Sequence, residues 1–292
     1  MTVVGFTFIR NAIRFDYPIV AAIRSILPLC DEVVVAVGKS EDATLELVRG
    51  IDPTRVRILE TEWDDTLREG GRVLAVETDK AFAAVDPGAD WAFYIQGDEV
   101  LHERFHAPVR AAMARYRAEA RVDGLLFDYR HFYGSYDYVG ATRRWYRREV
   151  RVVRPGRGIR SYRDAQGFRC ADGRKLRVRP ADGEIYHYGW VKPPDVMQRK
   201  RANLDRLWHA DDWVDRHVPA DAAFDFAGTI DALARFTGTH PAVMQARIAA
   251  RNWTFEHDPS FNRFGWKERL RRAVEHYTGW YPGEYRNYRL LK

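Results

Sequence analysis

The stretch Glu32-Val33-Val34-Val35-Ala36-Val37 decides the fold class. Five consecutive apolar residues, four of them valine, predict a strand that is covered on both faces, as the strands of parallel sheets are. Comparable apolar runs occupy residues 3–9, 56–59 and 91–95, and segments with helical spacing separate them at 19–27, 43–48 and 72–85. This alternation predicts an α/β fold with a mostly parallel, doubly wound sheet.

The pattern changes in the second half of the chain. Aromatic, strand-like runs at 125–132, 145–153 and 184–190 predict a mixed sheet, and the Gly- and Arg-rich residues 154–182 predict long loops. From residue 194 onward helical spacing prevails, with helices expected at 196–209, 230–236 and 241–253. We therefore expect one α/β domain over residues 1–190, with a helical C-terminal region over residues 191–292 packed on it.

The composition is that of a globular protein. The 292 residues are 46% hydrophobic and 30% charged, which excludes a disordered or fibrous chain. No apolar run approaches the roughly 20 residues that span a bilayer, and the first residues lack the features of a signal peptide. The two cysteines, Cys30 and Cys170, make neither a disulfide framework nor a zinc site. These features predict a cytoplasmic protein.

The basic excess is local. The chain carries 47 basic and 41 acidic residues, a net charge of +6, and the segment 143–179 holds most of the excess as arginine. Arginine suits bidentate contacts with phosphate, so the segment predicts either an anionic ligand or a solvated face. A nucleic acid partner is disfavoured, because no helix-turn-helix, RRM or zinc-finger pattern is present.

Polar residues follow three predicted strands where each strand ends. Arg10 and Asn11 follow the first strand, residues 38–44 follow the second, and residues 96–99 follow the fourth. Ligands of open α/β sheets bind outside the carboxyl ends of the strands, so these residues predict a ligand site. Neither a Gly-x-Gly-x-x-Gly fingerprint nor a Walker-type loop is present.

The chain resembles the family 2 glycosyltransferases of the GT-A fold in three segments: Phe8-Ile9-Arg10-Asn11, Val37-Gly38-Lys39-Ser40-Glu41-Asp42-Ala43-Thr44 and Tyr94-Ile95-Gln96-Gly97-Asp98-Glu99. The family's first strand ends near an Asn, its second in Asp-Asp-Gly-Ser-x-Asp-x-Thr, and its fourth in Asp-x-Asp. The resemblance extends over residues 3–100, with a weaker match at Tyr186-His187-Tyr188-Gly189-Trp190. It implies that residues 1–190 are a catalytic domain that binds a nucleotide-sugar and an acceptor.

The resemblance implies a set of donor-binding residues. The family's first aspartates after the second strand fall on Val37 and Gly38 here, which leaves the nucleobase open, with a UDP-sugar favoured. A helix that begins near Arg72 would offer its N-terminus to phosphate. The nucleotide-binding candidates are Phe8, Arg10, Asn11, Gly38, Ser40, Asp42, Arg72, Asp79, Gln96 and Gly97.

The resemblance also implies a divalent metal, Mn²⁺ or Mg²⁺, that neutralises the donor diphosphate. The Asp-x-Asp motif is reduced to Gln96-Gly97-Asp98, so a single aspartate remains as a ligand. In the family a second ligand, often a histidine, lies downstream, and His187 is the candidate. Loss of the metal, with arginine in its place, is the alternative.

An inverting transferase needs a base for the acceptor hydroxyl. Asp164, in an irregular segment before His187, is the first candidate, and Asp128 is the second. The acceptor is expected to be a cell-surface glycan, a lipid-linked saccharide or a small molecule. The basic, aromatic residues 263–292 predict either docking on the core or peripheral contact with the inner face of the membrane.

The sequence therefore predicts a glycosyltransferase that uses a nucleotide-diphosphate sugar and a divalent metal. A nucleotidyltransferase and a catalytically degenerate sugar-nucleotide-binding protein are the alternatives. The usual Gly-rich basic loop of nucleotidyltransferases is absent after the first strand, whereas the incomplete Asp-x-Asp motif favours the degenerate protein. Oligomeric state stays open.

Overall fold

The computed structural model describes residues 1–67, 69–219 and 221–291, and at residue 69 only the backbone. Most of the strands lie in the first two thirds of the chain. They are β1 (Val3–Ile9), β2 (Glu32–Gly38), β3 (Val56–Thr61), β4 (Trp91–Tyr94), β5 (Glu99–Leu101), β6 (Gly124–Tyr133), β7 (Ser135–Gly140), β8 (Arg148–Val153), β9 (Ile159–Tyr162), β10 (Gly167–Cys170), β11 (Leu176–Trp190), β12 (Leu233–Arg235) and β13 (Tyr288–Leu290).

The helices alternate with the first strands and then dominate the last third of the described chain. They are α1 (Ile19–Ile26), α2 (Thr44–Arg49), α3 (Arg72–Ala83), α4 (His106–Tyr116), α5 (Pro194–Asp205), α6 (Asp211–His217), α7 (Phe226–Thr229), α8 (Gln245–Ala249) and α9 (Trp266–Thr278). Among the residues described, none of the helices combines the length and apolar character that crossing a bilayer requires.

The first half of the sheet is parallel, in the order β3-β2-β1-β4. Strands β2 and β3 lie on one side of β1, and the next strand in the chain, β4, pairs with the other side of β1. This reversal opens a crevice at the carboxyl ends of β1 and β4, where α/β sheets bind ligands. The predicted α/β class with a parallel first half is confirmed.

Strand β2 is buried on both faces, as its valine run predicts. Val33, Val35 and Val37 pack in the core layer that contains α1 and α4, whereas Val34 and Ala36 pack in the layer that contains α3. Each buried valine contributes about 1.5–3 kcal/mol relative to an exposed one. The alternation of side chains along β2 therefore fixes which helices lie on which face.

The second half of the sheet is mixed. Strand β8 joins β4 and β6 by antiparallel pairing, and β6 pairs in parallel with the 15-residue β11. Strand β11 also pairs antiparallel with β5 and in parallel with β13. Its long course, with irregular register after Pro180 and after His187, carries the sheet around to the mouth of the crevice.

Two regions differ from the sequence-based expectation. Residues 230–236, predicted as a helix, contain strand β12, which pairs with the edge of β7. Residues 154–182, predicted as loops, contain β9, β10 and the start of β11. In both regions pairing with a neighbouring strand satisfies the backbone, and tertiary contacts of this kind override weak local propensity.

Candidate active site

A cavity of about 830 Å³ lies at the crevice between β1, β4 and α5. Its volume lies within the usual range of small-molecule sites. Among the residues that line it are eight of the candidates predicted from the sequence: Phe8, Arg10, Asn11, Gln96, Gly97, Asp98, Asp164 and His187. Residues more than 150 positions apart in the chain therefore meet at one site.

Strand pairing brings His187 to Asp98. The short strand β5 follows Asp98 directly, and its first residue, Glu99, is the register partner of His187 on β11. The backbone N–H of Tyr188 donates to the carbonyl of Asp98 at 2.8 Å. His187 Nε2 consequently lies 3.7 Å from Asp98 Oδ1.

Glu99 does not face the cavity, because it forms a buried ion pair. Both its carboxylate oxygens accept from Arg151, at 2.8 and 2.9 Å, and neither side chain is exposed. Glu99 also accepts from Tyr129 Oη and from the backbone N–H of Gln96. Because its oxygens are used in this way, Glu99 supports the turn of residues 96–98 from within the core.

Asp98 has a buried ammonium partner that the sequence did not indicate. Lys200, on α5, donates to Asp98 Oδ2 at 2.9 Å and to the carbonyl of Gly189 at 3.0 Å. Burial opposes ionisation of Asp98, but the ammonium of Lys200 outweighs it and holds the pKa of this carboxyl well below its usual range. Asp98 is therefore a carboxylate at neutral pH.

His187 belongs to a chain of two histidines. His131 Nε2 lies 2.8 Å from the carbonyl of Tyr146, and the two Nδ1 atoms of His131 and His187 lie 3.1 Å apart. Burial lowers the pKa of both rings, that of His131 to about 3. In the neutral tautomers that satisfy both contacts, His131 donates to Tyr146 and accepts from His187. His187 Nε2 is then an acceptor that faces Asp98.

The residues around Asp98 do not fit a resident divalent ion. Asp98 Oδ1 and His187 Nε2 are two suitable atoms, but no group of three His, Cys, Asp or Glu side chains comes together among the described residues. The ammonium of Lys200 already neutralises the single carboxylate. A hard divalent cation favours a site rich in carboxylate oxygens, and this site offers one carboxylate that is shared with a fixed cation.

Asp164 reaches the cavity on a strained loop. The flanking residues Arg163 and Ala165 both have left-handed backbone conformations, with φ of 58° and 64°. The Ala165 carbonyl accepts from Gln96 Nε2 at 3.0 Å, which ties this loop to the turn that carries Asp98. Strain of this kind costs on the order of 1–3 kcal/mol and clusters at functional sites. Asp164 itself is half-buried at the cavity wall.

An aromatic group that the sequence did not single out lines the other end of the cavity. Trp63 follows β3, and its ring lies 5.8 Å from that of Phe8 and 5.5 Å from the guanidinium of Arg10. Its indole packs on Gly38, where a Cβ would approach within 2.3 Å. Trp63 follows β3, and a residue at the carboxyl end of a parallel strand is a candidate for a ligand site. This position could have identified Trp63 from the sequence.

Two candidates after β2 organise the loop rather than face the cavity. Ser40 Oγ accepts from the backbone N–H of Asn11 and donates to the carbonyl of Gly38. Asp42 accepts from the backbone N–H groups of Thr44 and Arg14. Asn11, with φ of 53°, accepts from the backbone N–H of Glu41. These contacts fix the ends of β1 and β2 relative to each other.

Three further candidates lie away from the cavity lining. Asp79 accepts from the backbone N–H of Ser161, which joins α3 to β9. Arg72 is exposed at the first position of α3. Asp128 is exposed on β6 and pairs with Arg148 at 2.8 Å. Of the two candidate bases, the structure brings only Asp164 to the site.

Much of the arginine-rich segment 143–179 serves structure. Arg151 pairs with Glu99, Arg174 and Arg177 pair with Asp123, and Arg154 donates to the carbonyls of residues 116, 117 and 122. Ion pairs of Arg143 with Glu275 and of Arg147 with Glu284, and a hydrogen bond from Arg272 to the carbonyl of Ala141, hold α9 and the residues after it against the segment between β7 and β8. The residues after 263 thus dock on the core.

Comparison with known proteins gives weak similarities. No protein-family model and no curated protein sequence matches the chain. S. aureus TarS 1–349 in complex with UDP-GlcNAc shares 15% identity at a TM-score of 0.37, over 74% of this chain and 70% of that one. For the longer S. aureus TarS chain the TM-score is 0.38 at 14% identity, over 74% of this chain and 42% of that one.

A second protein matches less of the chain. Glucosyl-3-phosphoglycerate synthase from Mycobacterium tuberculosis, in complex with Mn²⁺, UDP and glucosyl-3-phosphoglycerate, shares 19% identity at a TM-score of 0.30. The match covers 46% of this chain and 45% of that one. Because these similarities are low, a functional conclusion has to rest on the cavity itself.

Proposed function

We propose that the protein is a glycosyltransferase that moves a sugar from a nucleotide-diphosphate sugar to a hydroxyl group of an acceptor. The observation that carries the proposal is that Asp98, paired with Lys200, and the half-buried Asp164 line one cavity at the switch point of the sheet. Transfer requires a positive charge for the leaving diphosphate and a base for the acceptor, and both are available there.

The proposed reaction inverts the anomeric carbon. The acceptor hydroxyl oxygen attacks the anomeric carbon, and its proton passes to a carboxylate oxygen of Asp164. The bond between the anomeric carbon and the diphosphate oxygen breaks, and its electron pair leaves with the nucleoside diphosphate. Base catalysis of this kind contributes about 10²–10⁴-fold to the rate.

For the donor we propose an orientation along the cavity. The diphosphate lies near the turn of Gln96, Gly97 and Asp98, and the nucleoside extends toward Phe8, Arg10 and Trp63, where aromatic faces are available. A UDP-sugar is our preferred donor, although Val37 and Gly38 stand where the family has aspartates and so leave the nucleobase open.

The divalent metal predicted from the sequence is the alternative to this proposal, since the residues described around Asp98 do not fit a resident ion. Asp98 Oδ1 and His187 Nε2 would be its protein ligands, and both atoms are acceptors that face each other across 3.7 Å. The pairing of Asp98 with Lys200 opposes such a metal. Binding of nucleoside diphosphates measured in Mn²⁺ and in EDTA distinguishes a site that needs a metal from one that does not.

For the acceptor we propose a glycan or a lipid-linked saccharide, with peripheral contact at an anionic membrane surface. Helix α9 docks through Glu275 and Arg272 and turns Trp266, Leu270 and Tyr277 outward, with exposed fractions of 72%, 60% and 84%. Exposed basic residues, among them Lys267 and Arg271, flank this face. Aromatic and basic side chains together favour an anionic lipid surface.

The experiment that tests the function is a screen of donor hydrolysis and transfer. The purified protein is incubated with UDP-, GDP-, ADP- and CDP-sugars, with and without Mn²⁺, and released nucleoside diphosphate is measured. We expect one donor class to be cleaved, faster when an acceptor is added. Diphosphate binding without any cleavage favours the degenerate sugar-nucleotide-binding protein, and pyrophosphate release from a nucleoside triphosphate and a sugar phosphate favours a nucleotidyltransferase.

A further inference from the structure

The carboxylate expected to hold a metal is bound instead by a lysine of the chain. Lys200 Nζ lies 2.9 Å from Asp98 Oδ2, and only 7% of the lysine side chain is exposed. Lysine side chains are almost never fully buried unless they are paired, because removing the charge from water is costly without a carboxylate partner. Asp98 and Lys200 therefore form one unit, in which the carboxylate keeps the ammonium charged and in place.

The ammonium lines the cavity. Lys200 uses two of its three N–H donors on Asp98 and on the carbonyl of Gly189. The third contact is a side-chain hydrogen bond with Tyr17, whose ring centre is 4.7 Å away and which also lines the cavity. Burial opposes the charged form, but Tyr17 and Asp98 hold the pKa of Lys200 above its usual value. A fixed, desolvated cation thus lies in the cavity wall.

The other basic side chains of the cavity are differently placed. The five described arginines of the lining all form ion pairs that are partly exposed: Arg10 with Asp65, Arg14 with Glu41, Arg199 with Asp195, Arg201 with Asp205, and Arg206 with Asp211 and Asp215. Lys192 is fully buried behind the lining, where it donates to the carbonyl of Asp16, and burial lowers its pKa well below the usual value. Lys200 is therefore the lining cation that combines burial, charge and contact with Asp98.

We propose that Lys200 binds the diphosphate of the donor and takes the place of the divalent metal, so that the protein binds nucleoside diphosphates without a metal ion. The proposal rests on the glycosyltransferase function proposed above and names the group that neutralises its leaving diphosphate. A fixed ammonium supplies one positive charge, and a phosphate oxygen would replace the neutral Tyr17 hydroxyl as the acceptor of its third N–H, because charge-assisted bonds of this kind are the strong ones. Asp98 then acts as a positioning residue that orients Lys200.

The test is calorimetric titration of UDP, GDP, ADP and CDP, with inorganic pyrophosphate as a probe that has no base, in EDTA and in Mn²⁺. For the wild-type protein we expect one nucleoside diphosphate to bind in EDTA, with an affinity that Mn²⁺ changes by less than about threefold. Lys200→Gln is expected to lose about tenfold to hundredfold in EDTA, since a hydrogen bond to a charged group is removed. The matched control is Lys267→Gln, whose exposed side chain lies on α9 outside the cavity lining, and it should bind as the wild type does.

A second readout separates this role from a structural one. Removal of the ammonium leaves Asp98 and His187 as acceptors without a cation, so Mn²⁺ should restore part of the lost affinity in Lys200→Gln and not in the wild type. Lys200→Arg, which keeps the charge, should retain metal-free binding. Thermal unfolding shows whether each variant is folded. If Lys200→Gln does not fold, metal-free binding by Lys200→Arg supplies the test, and loss of that binding in folded Lys200→Arg overturns the proposal.

The outcomes distinguish the two proposals. If the wild type binds a nucleoside diphosphate only with Mn²⁺, or if folded Lys200→Gln binds in EDTA as tightly as the wild type, the lysine proposal is overturned and the transferase proposal stands. If the folded wild type binds no nucleoside diphosphate with or without Mn²⁺, the proposed function itself is wrong.

Discussion

Arg151 and Glu99 form a fully buried, bidentate salt bridge next to the turn that carries Asp98. The same carboxylate accepts from the backbone N–H of Gln96, so the ion pair and the turn share one acceptor. Arg151 also donates to the carbonyl of Gln166, which lies in the loop that carries Asp164. Arg151 therefore contacts both Glu99, which supports the turn of Asp98, and the loop that carries Asp164.

Removal of one partner of this pair should be costly. Glu99→Gln leaves the Arg151 charge buried without a counter-ion, and we expect the free energy of unfolding to fall by about 3 kcal/mol or more. Chemical denaturation measures the effect. The control is Glu32→Gln, which removes the partly exposed partner of Arg57 and should cost less than about 1 kcal/mol. Equal losses in the two variants would contradict the support role of Glu99.

Asp164→Asn tests the proposed base. Turnover should fall by about 10² or more, because the acceptor proton has no carboxylate to receive it, while affinity for the donor stays within about twofold. Steady-state kinetics with both substrates gives the two constants. Asp128→Asn is the matched control, because Asp128 is an exposed partner of Arg148 outside the cavity lining. A fall in turnover for Asp128→Asn alone would reassign the base.

Gly189→Ala tests how closely the cavity wall is packed. A Cβ at this position would lie 2.7 Å from His187 Nε2 and 2.8 Å from Asp98 Oδ2, so these groups would have to shift. Misplacement of about 1 Å costs on the order of 10²-fold in rate, and we expect a loss of that size in donor cleavage. Gly265→Ala, where a Cβ meets no atom within 4 Å, should cleave the donor at the wild-type rate. Retained cleavage in folded Gly189→Ala would place the reaction elsewhere.

Glu149 should make stability depend on pH. Burial raises its pKa from 4.5 to about 7, although Arg151 and hydrogen bonds to Gln166 and Asn287 oppose the shift. The folded protein holds this proton more tightly than the unfolded chain, so the associated stability is full below about pH 4.5 and is lost as the pH rises through about 7. The shift corresponds to roughly 3 kcal/mol.

Denaturation at pH 5 and pH 8 measures this effect. Glu149→Gln does not ionise, so its stability relative to the wild type should be higher at pH 8 than at pH 5. The control is Glu60→Gln, an exposed glutamate that pairs with Arg49, and its difference from the wild type should be equal at the two pH values. An equal difference for Glu149→Gln would show that Glu149 is not protonated preferentially in the fold.

The outward face of α9 should bind anionic lipid. Co-sedimentation with phosphatidylglycerol-containing vesicles is expected, with little binding to phosphatidylcholine alone. The double variant Trp266→Ser, Leu270→Ser should bind at least about tenfold more weakly, since two large apolar side chains no longer enter the lipid. Val243→Ser, at a smaller exposed apolar residue, is the control. Concentration-dependent dimerisation that the double variant abolishes would assign this face to a second copy of the chain.

The sequence determined the parallel half of the sheet and the edge at which the site lies. The valine run of β2 can be buried only between two layers of helices, and polar residues after β1, β2 and β4 must meet where parallel strands end. Asp98 was identified from such a strand end, whereas Asp164 was chosen through the family resemblance, as an acidic residue in an irregular segment before His187. The helix predicted at 230–236 failed because β12 pairs with an edge strand, a contact that no short pattern encodes.

Only the tertiary structure decided what surrounds Asp98. Lys200 lies 102 residues further along the chain, and α5 carries it back to the carboxylate because the helix packs over the end of β11. The residue spacing of α5 does not distinguish Lys200 from an exposed lysine, because its partner Asp98 comes close only when the chain is folded. Likewise Glu99, adjacent to Asp98 in sequence, points into the core because alternate residues of β5 face opposite sides of the sheet. Local patterns fix strand ends, whereas the partner of a buried charge is fixed by long-range packing.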